Sequence, residues 1–90
     1  MDIFDFSDII DCNLIIKYLA TQGIFKVNFE NSEIKEGCIL SGEYGSGSTI
    51  RIAIINYATN ISGKKMVLNA MSKEYRKKIN IPKNLTVKVF

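Results

Sequence analysis

The sequence predicts an α+β fold, a two-layer sandwich with two helices on one face of a four-stranded mixed sheet, in the order α-β-β-β-α-β. Two segments carry apolar residues at helical spacing, and four others are apolar or alternating as strands are. Short stretches rich in Gly, Asn and Ser separate them. The chain has 90 residues, 47% of them hydrophobic and 23% charged, so we expect one globular domain over residues 1–90.

The first helix is predicted over residues 7–22. Ser7 can cap it, Asp8 and Asp11 suit its first turn, and Gly23 can end it. One apolar stripe along this helix is expected to face the sheet. A second stripe, on nearly the opposite side, is expected to contact another element or another chain, and it consists of Ile10, Leu14 and Tyr18.

A strand is predicted over residues 24–30, where apolar and polar residues alternate. Phe25, Val27 and Phe29 are expected on its inner face. Residues 31–37 are then predicted to form a turn.

Two further strands are predicted over residues 38–44 and 49–58, the first of them weak. The Gly-Ser-Gly-Ser stretch at 45–48 is expected to be the hairpin turn between them. Both faces of the later strand are apolar, which is typical of a central strand.

The second helix is predicted over residues 64–80 and is ended by Pro82. A last strand is predicted over residues 85–90. The strand at 49–58, this helix and the last strand would form a right-handed crossover with the two strands parallel.

Charge is divided unevenly along the chain. Residues 1–43 hold eight acids and three lysines, whereas residues 44–90 hold nine basic residues and one acid, Glu74. Charge of one sign on one segment favours a polyanionic partner, either a nucleic-acid backbone or an acidic protein surface. The alternatives are an ordinary solvated helix face and pairing between the two halves of the chain.

The predicted second helix carries most of the candidate polyanion-binding residues. Lys64 and Lys65 stand at its start, after Ser62 and Gly63, where free backbone N–H groups and the helix dipole favour an anion. Its polar side and the preceding strand add further cations. The complete predicted set is Lys64, Lys65, Lys73, Arg76, Lys77 and Arg51.

The order α-β-β-β-α resembles that of double-stranded RNA-binding domains, whose second helix opens with a Lys-Lys-x-x-Lys phosphate grip. Lys64 and Lys65 stand at the first two lysine positions, but Leu68 stands at the third. The Gly-Pro-x-His loop of that family is missing, because the chain has no histidine and its one proline is Pro82. RNase toxins of the HicA type share the same order of elements, but they use a catalytic histidine. The resemblance therefore implies only an analogy of fold, and the missing histidine counts against an active toxin of that type.

The composition favours a binding protein over an enzyme. Without histidine the chain lacks the usual general base and the commonest metal ligand. Cys12 and Cys38 alone cannot complete a structural zinc site. The Gly-rich stretch lacks the Gly-Lys-Ser/Thr ending of a phosphate-binding loop. We therefore expect no cofactor, no metal and no enzymatic activity, with a histidine-independent nuclease toxin as the least favoured interpretation.

The second hypothesis is a small protein inhibitor, or an immunity or anti-defence factor of bacterial or phage origin, that acts by protein-protein contact. A homodimer is also expected from free strand edges and apolar stripes. The sequence has no apolar run long enough for a membrane span, and its acidic beginning is unlike a signal peptide, so a cytoplasmic location is expected. The residues expected in protein contacts are Ile10, Leu14, Tyr18, Tyr44 and Phe90.

Overall fold

The computed structural model describes residues 1–88 and confirms a small α+β fold with two helices. Helix α1 spans Ile3–Ile10 and helix α2 spans Ile50–Ile61. Seven strands are present within the described residues. In chain order they are β1 Leu14–Leu19, β2 Ile24–Phe29, β3 Ser32–Glu36, β4 Ile39–Ser41, β5 Gly45–Gly47, β6 Lys65–Leu68 and β7 Lys77–Asn80.

The strands form two antiparallel sheets, where one mixed sheet was predicted. The first has three strands in the order β1-β2-β5, and the second has four in the order β4-β3-β6-β7. The element order is therefore α-β-β-β-β-β-α-β-β, which differs from the predicted order. The predicted parallel crossover from a strand at 49–58 through a helix at 64–80 to the last strand is wrong, because residues 50–61 form α2 and the segment after it contains β6 and β7.

Helix α1 is shorter and begins earlier than predicted. The carboxylate of Asp2 caps it by accepting the N–H of Phe4 at 2.8 Å, and Asp11 ends it with a left-handed φ of 50°. The chain then continues as β1. The prediction of a helix over residues 7–22 is wrong because a run that is apolar on both helical sides, rich in Ile and Leu, suits a strand equally well.

Strand β2 matches the predicted strand, and its Val27 and Phe29 are buried as expected. The predicted turn at 31–37 is mostly strand β3. The actual turn is tighter, because Asn31 adopts a left-handed φ of 51° and Ser32 already begins β3. The weak strand predicted over residues 38–44 is present as the shorter strand β4.

Helix α2 replaces the strand predicted at 49–58. The hydroxyl of Thr49 caps it by accepting the N–H of Ile52 at 3.1 Å. The isoleucines of this segment favour a strand, but their propensity against a helix is weak. The burial of one helix face outweighs it. The buried residues of this face are Ala53, Ile54, Tyr57, Ala58 and Ile61.

Gly45 allows α2 to lie directly on β5. A Cβ atom added at Gly45 would overlap the carbonyl oxygen of Ala53 and the backbone nitrogen of Tyr57. Helix α2 also closes the free edge of this sheet, since the Asn56 amide donates to the carbonyl of Ser46 at 2.7 Å. The Gly-Ser-Gly-Ser stretch is therefore an edge strand shaped for helix contact, and the predicted hairpin turn is wrong.

The predicted second helix is a β-hairpin. Strand β6 contains three consecutive buried residues, and Asn69, with a left-handed φ of 53°, begins the loop to β7. The loop between the two strands carries Met71 and Tyr75, which are 97% and 69% exposed. The helical prediction is wrong because the apolar residues of this exposed loop extend the apolar pattern of the buried strand β6.

The C-terminal segment runs beside the N-terminus. Thr86 forms an isolated parallel bridge with Asp2, and its carbonyl accepts the N–H of Ile3 at 2.8 Å. The remainder of the predicted strand at 85–90, Val89 and Phe90, lies outside the described residues. No helix within residues 1–88 is long and apolar enough to cross a membrane.

The main core lies where α1 and α2 meet strands of both sheets. Phe29 contacts Phe6 and Tyr57, with ring centroids 5.9 Å and 5.7 Å apart. The Tyr57 hydroxyl accepts the backbone N–H of Phe29 at 2.9 Å. Burial raises the pKa of this phenol, which therefore serves as a neutral internal partner.

Candidate polyanion-binding surface

The outer face of the four-stranded sheet carries a cluster of lysines. Ile34, Met66 and Ile79 oppose one another across β3, β6 and β7 and pack in or against the core. Because successive side chains of a strand point to opposite faces, the residues that flank these three face outward. They are Glu33, Lys35, Lys65, Val67, Lys78 and Asn80.

The three lysines of this face line one groove of about 190 Å³. Lys35 comes from β3, Lys65 from β6 and Lys78 from β7, and Val67 and Asn80 lie between them. We refer to these five residues as the lysine groove.

Val67 forms an apolar floor in the lysine groove. It is only 1% exposed, yet it does not belong to the main core cluster. The alkyl stems of long side chains can cover apolar surface while their charged ends stay in water, and the residues that line the groove with Val67 include three lysines.

The charges of the groove repel one another. Lys35 lies directly opposite Lys65, a like-charged cross-strand pair that costs roughly 0.2–1 kcal/mol of sheet stability. Lys78 is the diagonal neighbour of Lys65, since it pairs with Val67 two residues along β6. Glu33 lies on the same face, but within residues 1–88 it forms no ion pair with any of the three lysines.

Lys64 is the one predicted cation that an acid neutralises. Its ammonium nitrogen lies 2.8 Å from Glu36 Oε1, the single ion pair recorded for residues 1–88. Its hydrogen bond to Glu36 raises the pKa of Lys64 above its ordinary value, although burial opposes this effect. We therefore leave Lys64 out of the candidate surface.

Ser62, Gly63 and Lys64 do not form an anion site at a helix start. They follow the C-terminus of α2, and their backbone N–H groups donate to Ala58, Pro82 and Ile61 at 3.1, 2.9 and 3.1 Å. A helix C-terminus carries the negative end of the dipole, which explains why cations are tolerated here. The predicted anion-binding site at Lys64 and Lys65 is wrong, because these residues do not begin a helix.

The other predicted cations divide between two places. Lys73 and Arg76 are exposed in the loop from 69 to 76, and Lys77 begins β7 beside Lys78 of the groove. Lys73 and Arg76 add positive charge at the loop of the hairpin, whereas Lys77 pairs with buried Leu68 and points to the face opposite Lys78. Arg51 is exposed in the first turn of α2, a different element.

Lys35 and Lys78 were not among the predicted site residues. Lys35 belongs to a segment interpreted as a turn, and Lys78 was not selected on the supposed helix. The available signal was the Ser-Glu-Ile-Lys-Glu pattern of β3, whose alternation places Lys35 outward and Ile34 inward.

The predicted protein-contact residues lie in different environments. Ile10 is only 7% exposed and packs in the core, so we no longer propose it for contacts. Leu14 is half-buried in β1. Tyr18 and Tyr44 are exposed, with Tyr18 beside the Phe25 ring and Tyr44 beneath the Lys26 ammonium at 4.0 Å. Phe90 lies outside the described residues.

A second groove is a different feature. It has a volume of about 480 Å³ and lies between the start of β3 and residues 69–72. Its lining includes Glu33 and no cation, so it does not suit a polyanion.

Comparisons with protein-family models, with curated proteins and with solved structures find no match for this chain. The analogy with double-stranded RNA-binding domains depended on the order α-β-β-β-α, which is not the order observed.

Proposed function

We propose that this protein binds a polyanion through the lysine groove and the cations that follow it on the β6–β7 hairpin. The basic segment predicted to be the second helix is the β6–β7 hairpin, and the proposal assigns binding to this hairpin. The observation that carries it is the convergence of Lys35, Lys65 and Lys78 on one groove without an acidic partner. The function is one of binding, with no chemistry assigned to these residues.

An anion in the groove would relieve an unfavourable arrangement. Lys35 and Lys65 oppose each other in the ladder, and a phosphate or sulfate group between them replaces repulsion with two attractive contacts. Such contacts supply affinity without reading sequence, and salt weakens them steeply.

The test uses a fluorescein-labelled inorganic polyphosphate chain as the probe. Replacing Lys35, Lys65 and Lys78 together by Gln should weaken binding at least about tenfold, because three phosphate contacts are removed. The matched control replaces Lys17, Lys83 and Lys88 by Gln, which changes the net charge equally at exposed positions elsewhere. Control binding should fall less than about threefold. Equal losses in the two variants would contradict a localised site.

Protein-protein contact through β1 is the second candidate function. Within residues 1–88 β1 pairs only with β2, and Ile16 and Tyr18 of this strand are 44% and 58% exposed. An unpaired edge with apolar side chains can accept a strand from a second copy or from an inhibited partner. A dimer that persists at roughly 1 M salt and that Ile16→Lys dissociates would support it. A monomer at all concentrations would count against the homodimer.

A further inference from the structure

An exposed tyrosine lies in the middle of the cationic loop. The loop from 69 to 76 contains Lys73 and Arg76, and between them Tyr75 is 69% exposed. Its one acid is Glu74, which forms no ion pair within the described residues. Tyr75 packs in neither the core nor an aromatic cluster recorded for residues 1–88.

The backbone of Tyr75 is held in place although its ring is exposed. Its N–H donates to the Ser72 hydroxyl at 3.1 Å, and its carbonyl accepts from the Asn69 side-chain amide at 3.2 Å. Ser72 is itself fixed, since its N–H donates to the Asn69 carbonyl at 2.9 Å. Asn69 is anchored to the turn before β3 through its N–H bond to the Asn31 carbonyl. These bonds fix the backbone that carries the ring, so little backbone freedom is lost when a ligand stacks on it.

The ring lies close to the lysine groove along the chain. Tyr75 is followed by Arg76, Lys77 and Lys78, and Lys78 lines the groove. The Cα atoms of Tyr75 and Lys78, three residues apart, are separated by at most about 10 Å, a distance that a few nucleotides can span. From Lys78 the cations continue diagonally to Lys65 and directly across to Lys35.

We propose that the polyanion is a single-stranded nucleic acid, with one base stacked on Tyr75 and the phosphates following Lys78, Lys65 and Lys35. This inference rests on the proposed polyanion function. Single strands are bound by a cationic track combined with aromatic side chains, because every unpaired base has a π-face that can stack. A duplex conceals its base faces, and an acidic protein surface has no regular series of flat rings. An exposed ring near a cationic track therefore favours the single strand.

The experiment measures binding of an oligodeoxythymidine of about 12 nucleotides, its duplex of equal length, and polyphosphate. Tyr75→Ala should weaken single-strand binding roughly 5- to 100-fold and leave polyphosphate binding unchanged, because one stacking contact is lost. Tyr75→Phe should retain the affinity. Tyr18→Ala, at another exposed tyrosine, is the matched control and should have no effect.

Fluorescence gives a second readout, since the chain has four tyrosines and no tryptophan. Stacking should quench part of the tyrosine emission on binding, and Tyr75→Phe should remove that part while it keeps the affinity. Unchanged single-strand affinity in Tyr75→Ala, or equally tight binding of duplex or poly-glutamate, would overturn the single-strand assignment. Polyphosphate binding that depends on the groove lysines would still uphold the polyanion proposal, and its absence would overturn both.

Discussion

At the scale of single residues, backbone conformation and close contact decide positions that composition leaves ambiguous. Gly45 is buried under α2 because no side chain fits there. Asn31 and Asn69 adopt left-handed conformations that Asn tolerates better than most residues, and each sits at the end of a strand. These three residues determine where β3, β5 and β6 begin or end.

Gly45→Ala is expected to destabilise the protein by about 3 kcal/mol or more, because the added Cβ forces α2 away from β5. Gly42→Ala is the matched control. Its Cβ would meet no atom within 4 Å, so its free energy of unfolding should change by less than about 0.5 kcal/mol. Urea unfolding of both variants measures the difference. Equal stabilities would show that α2 does not lie on β5 in the described manner.

At the scale of elements, burial decided several assignments that apolar content alone left open. The strand at β2 could be predicted because its alternation is regular and one face meets the core. Segment 49–58 contains four isoleucines, three of them in alternation, yet the spacing of the buried residues from Ala53 to Ile61 suits a helix. Local sequence cannot decide between a strand and a helix here, because α2 is buried by tertiary contacts with β5 and with β2, which lies far earlier in the chain.

The same limit applies to the candidate site. The concentration of positive charge on residues 64–78 could be predicted from the sequence alone. Its arrangement could not, because Lys35 joins the groove only through the pairing of β3 with β6. Register between strands that are far apart in the chain is a property of the whole sheet.

Helix α1 and the C-terminal segment depend on one carboxylate. Asp2 is 4% exposed and accepts the N–H groups of Phe4 and Lys88 at 2.8 and 2.7 Å. Burial acts to raise its pKa, but the hydrogen bonds from Lys88, Phe4 and Asp5 outweigh burial and lower the pKa below 3.8. The ionised form therefore ties the first helix to the end of the described chain.

Asp2→Asn should lower the free energy of unfolding at neutral pH by about 1–2 kcal/mol, since one charged cap is lost. A lowered folded-state pKa means that the stabilisation is present above pH 3.8 and is lost as pH falls through the folded-state value. The gap between wild type and variant should therefore narrow below that pH. Chemical unfolding at several pH values tests this, and a gap independent of pH would argue against it.

At the scale of the whole molecule, the acidic and basic halves of the chain do not neutralise each other. Eight acids precede residue 44 and nine cations follow it, yet residues 1–88 contain one ion pair, Lys64 with Glu36. Three acids lie on or just after α1, where Asp5 suits the positive end of the helix dipole. We propose that a polyanionic partner contacts the cations of the hairpin, and this is the central claim of the proposed function.

The most direct test of that claim is the salt dependence of polyanion binding by wild type and by the variant with Gln at Lys35, Lys65 and Lys78. The slope of log affinity against log salt should become shallower by about 2 in the variant, because three contacts at about 0.7 each are lost. Fluorescence titration of a labelled oligodeoxythymidine from roughly 50 to 200 mM salt measures both slopes. Parallel lines for the two proteins would contradict the account, since the groove lysines would then make no contact with the polyanion.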